Sequence, residues 1–289
     1  MNPGGNALGT LYVVGTPIGN LEDITLRAVR VLKETNLIAC EDTRQTQKLL
    51  NHYGITSRTI SYHEHNEAAR ATELVAQLQA GTSIALVTDA GMPGISDPGF
   101  RIIALAVEQG IPVVPIPGAS ALVSALAASG LPTDSFYFRG FLPTKHGQRR
   151  QALEEIKTAT ETQIFYEAPH RVKESIKDIV EVLGNGRSIV IARELTKIHE
   201  EFLRGTAGEV LEILNQREEI KGEITLLIGK AGKSAEQAAG TPRLSIRERL
   251  QQIMTEEKLD EKSALKRVAK ERGISKSEAY RQVQRDTHI

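Results

Sequence analysis

The chain has 289 residues, of which 40% are hydrophobic, so it can bury a sizeable core and global disorder is excluded. Its length predicts about two domains of ordinary size. No apolar run approaches the ~20 residues of a membrane-spanning helix, and the first residues have neither the basic nor the apolar region of a signal peptide. A single cysteine, Cys40, favours a reducing, cytoplasmic compartment.

The net charge is zero, with 36 basic and 36 acidic residues, but these charges are unevenly distributed. Residues 241–289 hold 12 Lys and Arg against 8 Asp and Glu, a net of +4, and the first 240 residues therefore carry −4. A basic tail on a mildly acidic body is a weak indication of a polyanionic partner. A solvated helical tail explains the same charges equally well, so charge alone leaves both interpretations open.

Short β-rich runs alternate with longer helical patterns, which predicts an α/β architecture with ligands at the carboxyl ends of the strands. The clearest strands are residues 11–14, 37–40, 83–88, 113–115, 163–166, 188–192 and 223–228. The clearest helices are residues 68–79, 100–109, 148–157 and 172–183. The proline-rich segment 110–118 is our expected crossing from one α/β domain to the next.

The carboxy-terminal part has a different pattern. Residues 231–242 are small, polar and aperiodic, which predicts a linker. A capping box at Ser245 predicts a helix that ends at Gly273, and a second capping box at Ser275 completes the spacing of a helix-turn-helix. A plain helical appendage stays open, because this motif also occurs in bundles that bind nothing. The predicted regions are residues 1–117, 118–230, 231–242 (linker) and 243–289 (helical, basic tail).

Two loops rich in glycine follow strands. Residues 15–20 (GTPIGN) match neither GxGxxG nor a Walker P-loop, so a dinucleotide or nucleoside triphosphate site is not favoured. Residues 88–99 hold three glycines, two prolines and two aspartates. Asp97, which precedes Pro98, is predicted to cap the next helix. Asp89 is expected to face the crevice and accept hydrogen bonds from a ribose or an ammonium group, with an Asx-turn as the alternative.

Other segments are compatible with several kinds of chemistry. Ser120 lacks the second glycine of a nucleophile elbow, so a hydrolase is not favoured and a helix cap is the simpler interpretation. Charged clusters at residues 41–44, 167–171 and 193–197 each follow a strand; single clusters of this kind are usually surface ion pairs, but three of them favour a polar site. The segment 63–65 (HEH) lacks a third ligand and HExxH is absent, so no metal is expected.

Five of these segments, taken in order, resemble one known family. Residues 14–21 (VGTPIGNL), 41–44 (EDTR), 88–99, 117–121 and 166–171 (YEAPHR) are similar to the ribosomal RNA small-subunit cytidine 2′-O-ribose methyltransferase family, within the tetrapyrrole methylase superfamily. The resemblance covers residues 11–229, and the tail from Leu244 looks like the helical extension of such proteins. Met92 stands where the family usually has a threonine.

The resemblance implies a fold, a cofactor and partners. The fold would be α/β, with two αβα domains of the tetrapyrrole methylase type, a cofactor cleft between them and a small all-helical carboxy-terminal extension. S-adenosylmethionine would bind in the cleft, the substrate would be 16S ribosomal RNA or the small ribosomal subunit, and the protein would be a homodimer. The residues that the resemblance places against the cofactor are Pro17, Asp89, Ala90, Gly91, Met92, Ser120, Ala121 and Tyr166.

In the implied reaction a ribose hydroxyl attacks an already activated methyl group, so positioning can supply much of the acceleration. A nearby base could add ~10²–10⁴-fold, and Glu167, His170 and Asp42 are candidates that the sequence does not rank. The cations expected to bind RNA phosphates are Arg44, Arg171, Arg193, Lys197, Lys276, Arg281 and Arg285. Two alternatives remain: a precorrin-type tetrapyrrole C-methyltransferase, which needs neither a basic tail nor the Pro169-His170-Arg171 turn, and a non-catalytic RNA-binding protein.

Overall fold

The computed structural model describes residues 7–231, 246–257, 259–272 and 279–280. The chain divides near residue 235 into two compact units. Within the described ranges, no helix combines the length and the apolar character that crossing a bilayer requires.

The first unit begins with a five-stranded, all-parallel sheet in the order β3-β2-β4-β1-β5. Its strands are β1 (Leu11–Val14), β2 (Leu37–Cys40), β3 (Arg58–Ser61), β4 (Ile84–Val87) and β5 (Val113–Ile116). Its helices are α1 (Leu26–Glu34), α2 (Thr43–His52), α3 (Glu67–Gln79) and α4 (Phe100–Glu108). Because all strands run the same way, every loop that follows a strand lies at one edge of the sheet.

A second five-stranded sheet, of mixed direction, follows in the order β6-β7-β10-β8-β9. Its strands are β6 (Phe136–Phe141), β7 (Thr162–Glu167), β8 (Ser188–Arg193), β9 (Glu201–Thr206) and β10 (Ile224–Ile228). The helices of this half are α5 (Ala121–Ser129), α6 (His146–Glu155), α7 (Val172–Leu183) and α8 (Ala207–Asn215). The predicted α/β class with two sheets is confirmed.

Each sheet is covered on both faces, as the period-two alternation of a strand requires. In β4, Ile84 and Leu86 pack in one core cluster while Ala85 and Val87 pack in another. Helix α5 follows β5 in the chain, yet its Ala125 and Leu126 pack with Ile164 of the second sheet. This helix therefore joins the end of the first sheet to a face of the second.

Three strands were not expected from the sequence: β3, β6 and β9. All three lie at a sheet edge, and their burial patterns contain no fully buried residue. An edge strand has one neighbour and tolerates polar residues, so it lacks the apolar run that marks a central strand. The seven strands that the sequence did indicate are confirmed to within one or two residues at each end.

The second unit contains α9 (Ile246–Glu257) and α10 (Glu261–Arg272), which share a small core of their own. The prediction of one helix running to Gly273 was wrong, because α9 ends at Glu257 and a separate helix begins at Glu261. The Asp260 carbonyl accepts hydrogen bonds from the amides of Ser263 and Ala264 and starts a new helix there. The predicted linker beyond Ala231, Ser245, Gly273, Ser275 and the tail cations Lys276, Arg281 and Arg285 lie outside the described residues.

Candidate functional site

A cavity of about 700 Å³ lies where the carboxyl-end loops of the first sheet meet α5 and the second sheet. Apolar side chains form most of its wall, with a few polar groups among them. The lining residues of the first half include Ile18, Ala90, Gly91, Met92 and Asp97. The lining residues of the second half include Ser120, Phe138, Tyr166, Leu195 and Glu223. A concave, mostly apolar site with few convergent polar groups is the usual form of a small-molecule pocket.

The first-sheet side of the cavity is built from loops that are tied together. The amide of Thr16 donates to the Gly91 carbonyl at 2.9 Å, and the amide of Gly91 donates back to Thr16 at 3.1 Å. Gly15 and Gly118 touch, since a Cβ on Gly15 would lie 2.7 Å from the Cα of Gly118. Only glycine permits this approach, so the loops after β1 and β5 pack directly against each other beside the site.

The loop between β4 and α4 places Asp97 at the cavity. Ser96 has φ of +62°, an uncommon conformation for a residue with a side chain, and the amide of Gly94 donates to the Pro98 carbonyl at 3.3 Å. Asp97 was predicted to cap α4, and this prediction was wrong: the cap position belongs to Gly99. The Glu67 carboxylate instead accepts the amide of Gly99 at 3.2 Å, so Asp97 is left to face the cavity.

Burial raises the pKa of Asp97 to about 6, and the nearby carboxylates of Glu41 and Asp89 add to this rise. The nearby side chain of Thr88 opposes this rise. The Thr88 hydroxyl donates its one proton to Glu41 at 2.8 Å. This side of the site therefore concentrates negative charge.

The second-sheet side carries an aromatic wall. The ring of Tyr166 meets Phe138 edge-on at 4.9 Å between centroids and Phe141 at 5.6 Å. The backbone amide of Leu122, in the first turn of α5, lies near the Tyr166 hydroxyl and opposes the rise of its pKa. Burial, followed by the charge of Asp97, raises the pKa of Tyr166. The charge of Asp97 therefore acts on the hydroxyl of Tyr166 across the cavity.

Six of the eight expected cofactor-binding residues line the cavity: Ala90, Gly91, Met92, Ser120, Ala121 and Tyr166. Ser120 is at the cap position of α5 but makes no capping hydrogen bond, so its hydroxyl can serve a ligand. Pro17 and Asp89 are not among the lining residues. Asp89 is exposed and accepts the amide of Asp42 at 3.2 Å, which ties the loops after β2 and β4 together.

The three candidate bases occupy very different surroundings. The Glu167 carboxylate is fully buried and accepts hydrogen bonds from Arg171, from the amide of Ala168 at 2.7 Å and from the hydroxyl of Ser175 at 2.5 Å. Arg44 lowers the pKa of Asp42 to about 2 through side-chain and backbone hydrogen bonds. His170 is exposed, directly after Pro169 on the cavity wall.

The expected RNA-binding cations also differ in their burial and in their ion-pair partners. Arg171 is buried and donates to Glu167 and to the Leu142 carbonyl, so it faces the protein interior. Arg193 pairs with Glu201 at 3.0 Å. The side chain of Arg44, by contrast, is 87% exposed even though it pairs with Asp42.

Lys197 packs its side chain against Gly19 and pairs with Glu194 at 2.8 Å and Glu223 at 3.0 Å. Although partial burial opposes it, these two hydrogen bonds raise the pKa of Lys197. The amide of Asn20 donates to the hydroxyl of Thr196 at 3.1 Å, so the loop after β8 is fastened to the loop after β1.

Several lining residues were missed by the sequence reasoning. They are Ile18, Ile95, Ser96, Asp97, Leu122, Val123, Phe138, Phe141, Ala192, Leu195 and Gly222–Thr225. Most are apolar and give no local signal that distinguishes a pocket wall from a core position. Asp97 carried a signal, an acid in a loop of glycines and prolines, but the following proline made a helix cap the simpler interpretation. Among the described residues, no cluster of three His, Cys, Asp or Glu is arranged to hold a metal.

Comparison with known proteins gives a consistent result. Residues 10–211 match the family model of Tetrapyrrole (Corrin/Porphyrin) Methylases. The chain is 50% identical over 277 residues to the Ribosomal RNA small subunit methyltransferase I of Halalkalibacterium halodurans, covering 94% of this chain and 93% of that one. It is 46% identical to the protein of the same name from Synechocystis sp., over 98% of this chain and 94% of that one.

A solved structure shares the fold. Uroporphyrin-III C-methyl transferase from Thermus thermophilus, complexed with S-adenyl homocysteine, superposes with a TM-score of 0.54 at 20% identity. The match covers 76% of this chain and 97% of that one. The expected tetrapyrrole methylase fold is confirmed.

Proposed function

The chain belongs to the ribosomal RNA small subunit methyltransferase I family of tetrapyrrole methylases, and we propose that it methylates the ribose 2′-hydroxyl of a cytidine in 16S ribosomal RNA, with S-adenosylmethionine as methyl donor. The observation that carries the proposal is the cavity between the carboxyl-end loops of the first sheet and the aromatic wall of the second. Ligands of open α/β sheets bind at such carboxyl ends.

The cavity residues fit S-adenosylmethionine. The aromatic and aliphatic walls from Phe138, Tyr166 and Leu195 suit an adenine ring and a methyl group, and the hydroxyl of Ser120 is free of a capping bond. The carboxylate of Asp97 suits a positively charged ligand. When bound, the cofactor supplies an electrophilic methyl group, and the residues of this chain orient the acceptor hydroxyl toward it.

The proton of the ribose hydroxyl needs an acceptor. The carboxylates of Glu167 and Asp42 already accept hydrogen bonds from Arg171 and Arg44, so these partners occupy the oxygens that would take the proton. His170 is exposed at the cavity edge and has no hydrogen-bond partner among the described residues. The base is therefore either His170, which follows the lining residue Pro169, or a titratable group that lines the cavity.

Arg44 supports an RNA substrate, because its exposed side chain stands on α2 directly after a strand of the first sheet. The tetrapyrrole alternative is disfavoured: the ribosomal RNA methyltransferases named above are 46–50% identical to this chain, whereas the tetrapyrrole enzyme is 20% identical. A non-catalytic RNA-binding protein is disfavoured for the same reason, since those relatives are named as methyltransferases.

We further propose that the enzyme is a cytoplasmic homodimer. Phe100 and Val107 are 76% and 63% exposed, and their spacing of seven places them on one face of α4. Light scattering checks the dimer: Val107→Lys should shift the mass toward that of a monomer, whereas the exposed Val123→Lys should not. An unchanged mass in Val107→Lys contradicts this part of the proposal.

The activity is tested with ribosomal RNA from cells that lack the enzyme. Purified protein and labelled S-adenosylmethionine are incubated with naked 16S RNA and with small subunits, and the product is digested and analysed by mass spectrometry. We expect a 2′-O-methylcytidine that resists alkaline cleavage, because its blocked hydroxyl cannot attack the adjacent phosphate. Cys40→Ser should stay active, since Cys40 is buried and burial raises the pKa of its thiol. A methyl group on a base, or transfer to a tetrapyrrole but not to RNA, contradicts the proposal.

A further inference from the structure

We propose that Phe141 is the platform on which the base of the target cytidine stacks, so that the ribose 2′-hydroxyl of this nucleotide reaches into the cavity. This inference rests on the proposed function and names the part of the RNA that the second half of the molecule recognises.

A β-bulge near the end of β6 turns Phe141 toward the cavity. Phe138 pairs with Ile164 of β7 and Phe141 pairs with Tyr166, so three residues of β6 advance along two of β7. In a regular strand, residues three apart lie on opposite faces. The extra residue cancels this change of face, and Phe138 and Phe141 both line the cavity. Gly140, with φ of +69°, permits the bulge because it has no side chain.

The ring of Phe141 lies at the mouth of the cavity and is open to solvent. Three aromatic side chains line the cavity among the described residues; Phe141 is 55% exposed, whereas Phe138 and Tyr166 are half-buried. Phe141 contacts Tyr166 edge-on, and such a contact covers at most one face of its ring. The other face of the Phe141 ring is therefore available for a flat ligand.

The end of β6 is held on both sides of this ring. The residue that follows, Leu142, is buried, and its carbonyl accepts a hydrogen bond from the guanidinium of Arg171 at 3.0 Å. Before the bulge, Arg139 donates to the side chain of Gln163 in β7 at 2.6 Å. A ring fixed in this way loses little conformational freedom when a base stacks on it.

The proposed reaction brings a base to this position. The carbon that bears the 2′-hydroxyl is bonded to the carbon that carries the base, so a hydroxyl inside the cavity leaves its base near the cavity mouth. Proteins recognise unpaired RNA bases by stacking them on aromatic side chains. The adenine of the cofactor has the deeper wall of Phe138 and Tyr166, which leaves Phe141 for the substrate.

A cation follows the platform in the chain. Lys145, four residues after Phe141, is exposed, and its side chain has no acidic partner in the part of the chain that the structure describes. Each nucleotide of an RNA strand carries a phosphate, which an exposed lysine can bind. An exposed ring followed by an unpaired cation fits a nucleotide better than the apolar surface of a second copy of this chain.

The first test separates recognition of RNA from binding of the cofactor. Single-turnover rates are measured against the concentration of the RNA substrate that the wild type methylates, and the affinity for S-adenosylhomocysteine is measured by calorimetry. Phe141→Leu keeps an apolar side chain but removes the ring, so the rate at low RNA concentration should fall about 5–150-fold with the cofactor affinity unchanged. Phe141→Tyr should recover most of the rate. Phe136→Leu, an exposed position of β6 outside the cavity lining, is the matched control and should behave as wild type.

An RNA in which an abasic ribose replaces the target cytidine shows which base stacks. This RNA keeps the 2′-hydroxyl, so the wild type should still methylate it, but more slowly, by about the factor that Phe141→Leu loses on intact RNA. On the abasic RNA the wild type and Phe141→Leu should react at equal rates, because neither has a base to stack.

Fluorescence reports the contact directly. The chain contains no tryptophan, so Phe141→Trp introduces a single indole. Addition of the RNA substrate should quench the emission of this indole, with the wild type as the blank, and S-adenosylhomocysteine alone should quench it much less. Equal quenching by S-adenosylhomocysteine would assign the ring to the cofactor and overturn the inference.

Three further outcomes overturn the inference while the proposed function stands. They are a Phe141→Leu variant as fast as the wild type, a difference between these two proteins that persists on abasic RNA, and a loss of the dimer in Phe141→Leu by light scattering, which would assign the ring to the subunit interface. A wild type that methylates neither RNA substrate overturns the proposed function and this inference with it.

Discussion

The acids that follow the strands of the first sheet differ from those of the second in the charge of the side chains around them. In the first half, burial and neighbouring carboxylates raise the pKa values of Asp89 and Asp97. In the second half, hydrogen bonds from Lys197 and Arg217 lower the pKa values of Glu194 and Glu201. Both halves show charged residues after strands in the sequence, but the pKa of the first-half cavity acid, Asp97, is raised to about 6.

This difference separates acids that stabilise the fold from acids that can accept a proton. An acid held by Arg or Lys stabilises the fold and is a poor base, whereas an acid crowded by other acids costs stability and is a better base. Asp42 is the exception in the first half, because Arg44 lowers its pKa to about 2. The predictions below test this separation, starting with the largest expected effect.

Glu167→Ala should destabilise the protein by about 3–5 kcal/mol, because it leaves the guanidinium of Arg171 buried without a counter-charge. Urea unfolding measures this change. Glu34→Ala is the matched control, since Arg30 and Glu34 form an exposed pair at the same i,i+4 spacing; it should cost less than about 0.5 kcal/mol. Equal, small effects in the two variants contradict the structural role of the buried pair.

Glu201→Gln should cost about 2 kcal/mol at pH 7, allowing for partial solvent screening of a pKa lowered to about 2. The stability that comes from a lowered pKa is present above the unfolded value near 4.5 and is lost as pH falls toward 2. The gap between wild type and variant should therefore narrow between pH 5 and 3 in urea unfolding. A gap that stays constant over this range disagrees with the ion pairs to Arg217 and Arg193 as its source.

Asp97→Asn should stabilise the protein by about 1 kcal/mol at pH 8, since it removes an ionised group whose surroundings oppose its charge. With a pKa raised from 3.8 to about 6, the wild-type penalty is absent below about pH 4 and complete above about pH 6. Melting temperatures at pH 4 and pH 8 check this sign. A variant less stable than wild type at pH 8 would show that the ionised Asp97 carboxylate stabilises the fold.

Arg44→Ala should reduce the slope of log affinity for ribosomal RNA against log salt by about 1, because an exposed cation can meet a phosphate. Lys197→Ala should leave the slope nearly unchanged, because Glu194 and Glu223 already neutralise that cation. Filter binding between 50 and 300 mM salt measures both variants. The reverse order of effects would show that the second-sheet cations exchange their partners for RNA.

Much of the fold and part of the site could be predicted from the sequence. The central strands carry buried apolar runs, and the order of five motifs indicated the fold, six of the lining residues and the class of reaction. The edge strands β3, β6 and β9 were missed because one-sided pairing requires no apolar run.

The sequence by itself determined which residues are chemically able to act, and the tertiary structure decided which of them are free to do so. Glu167 and Arg171 are four residues apart in one turn, and no local pattern shows that they bind each other in the interior rather than a substrate. Asp97 resembles a helix cap beside Pro98, yet Glu67, thirty residues earlier, takes over the amide of Gly99. The pKa of an acid depends on burial and on charges brought close by the fold, and these are long-range quantities that a linear sequence does not contain.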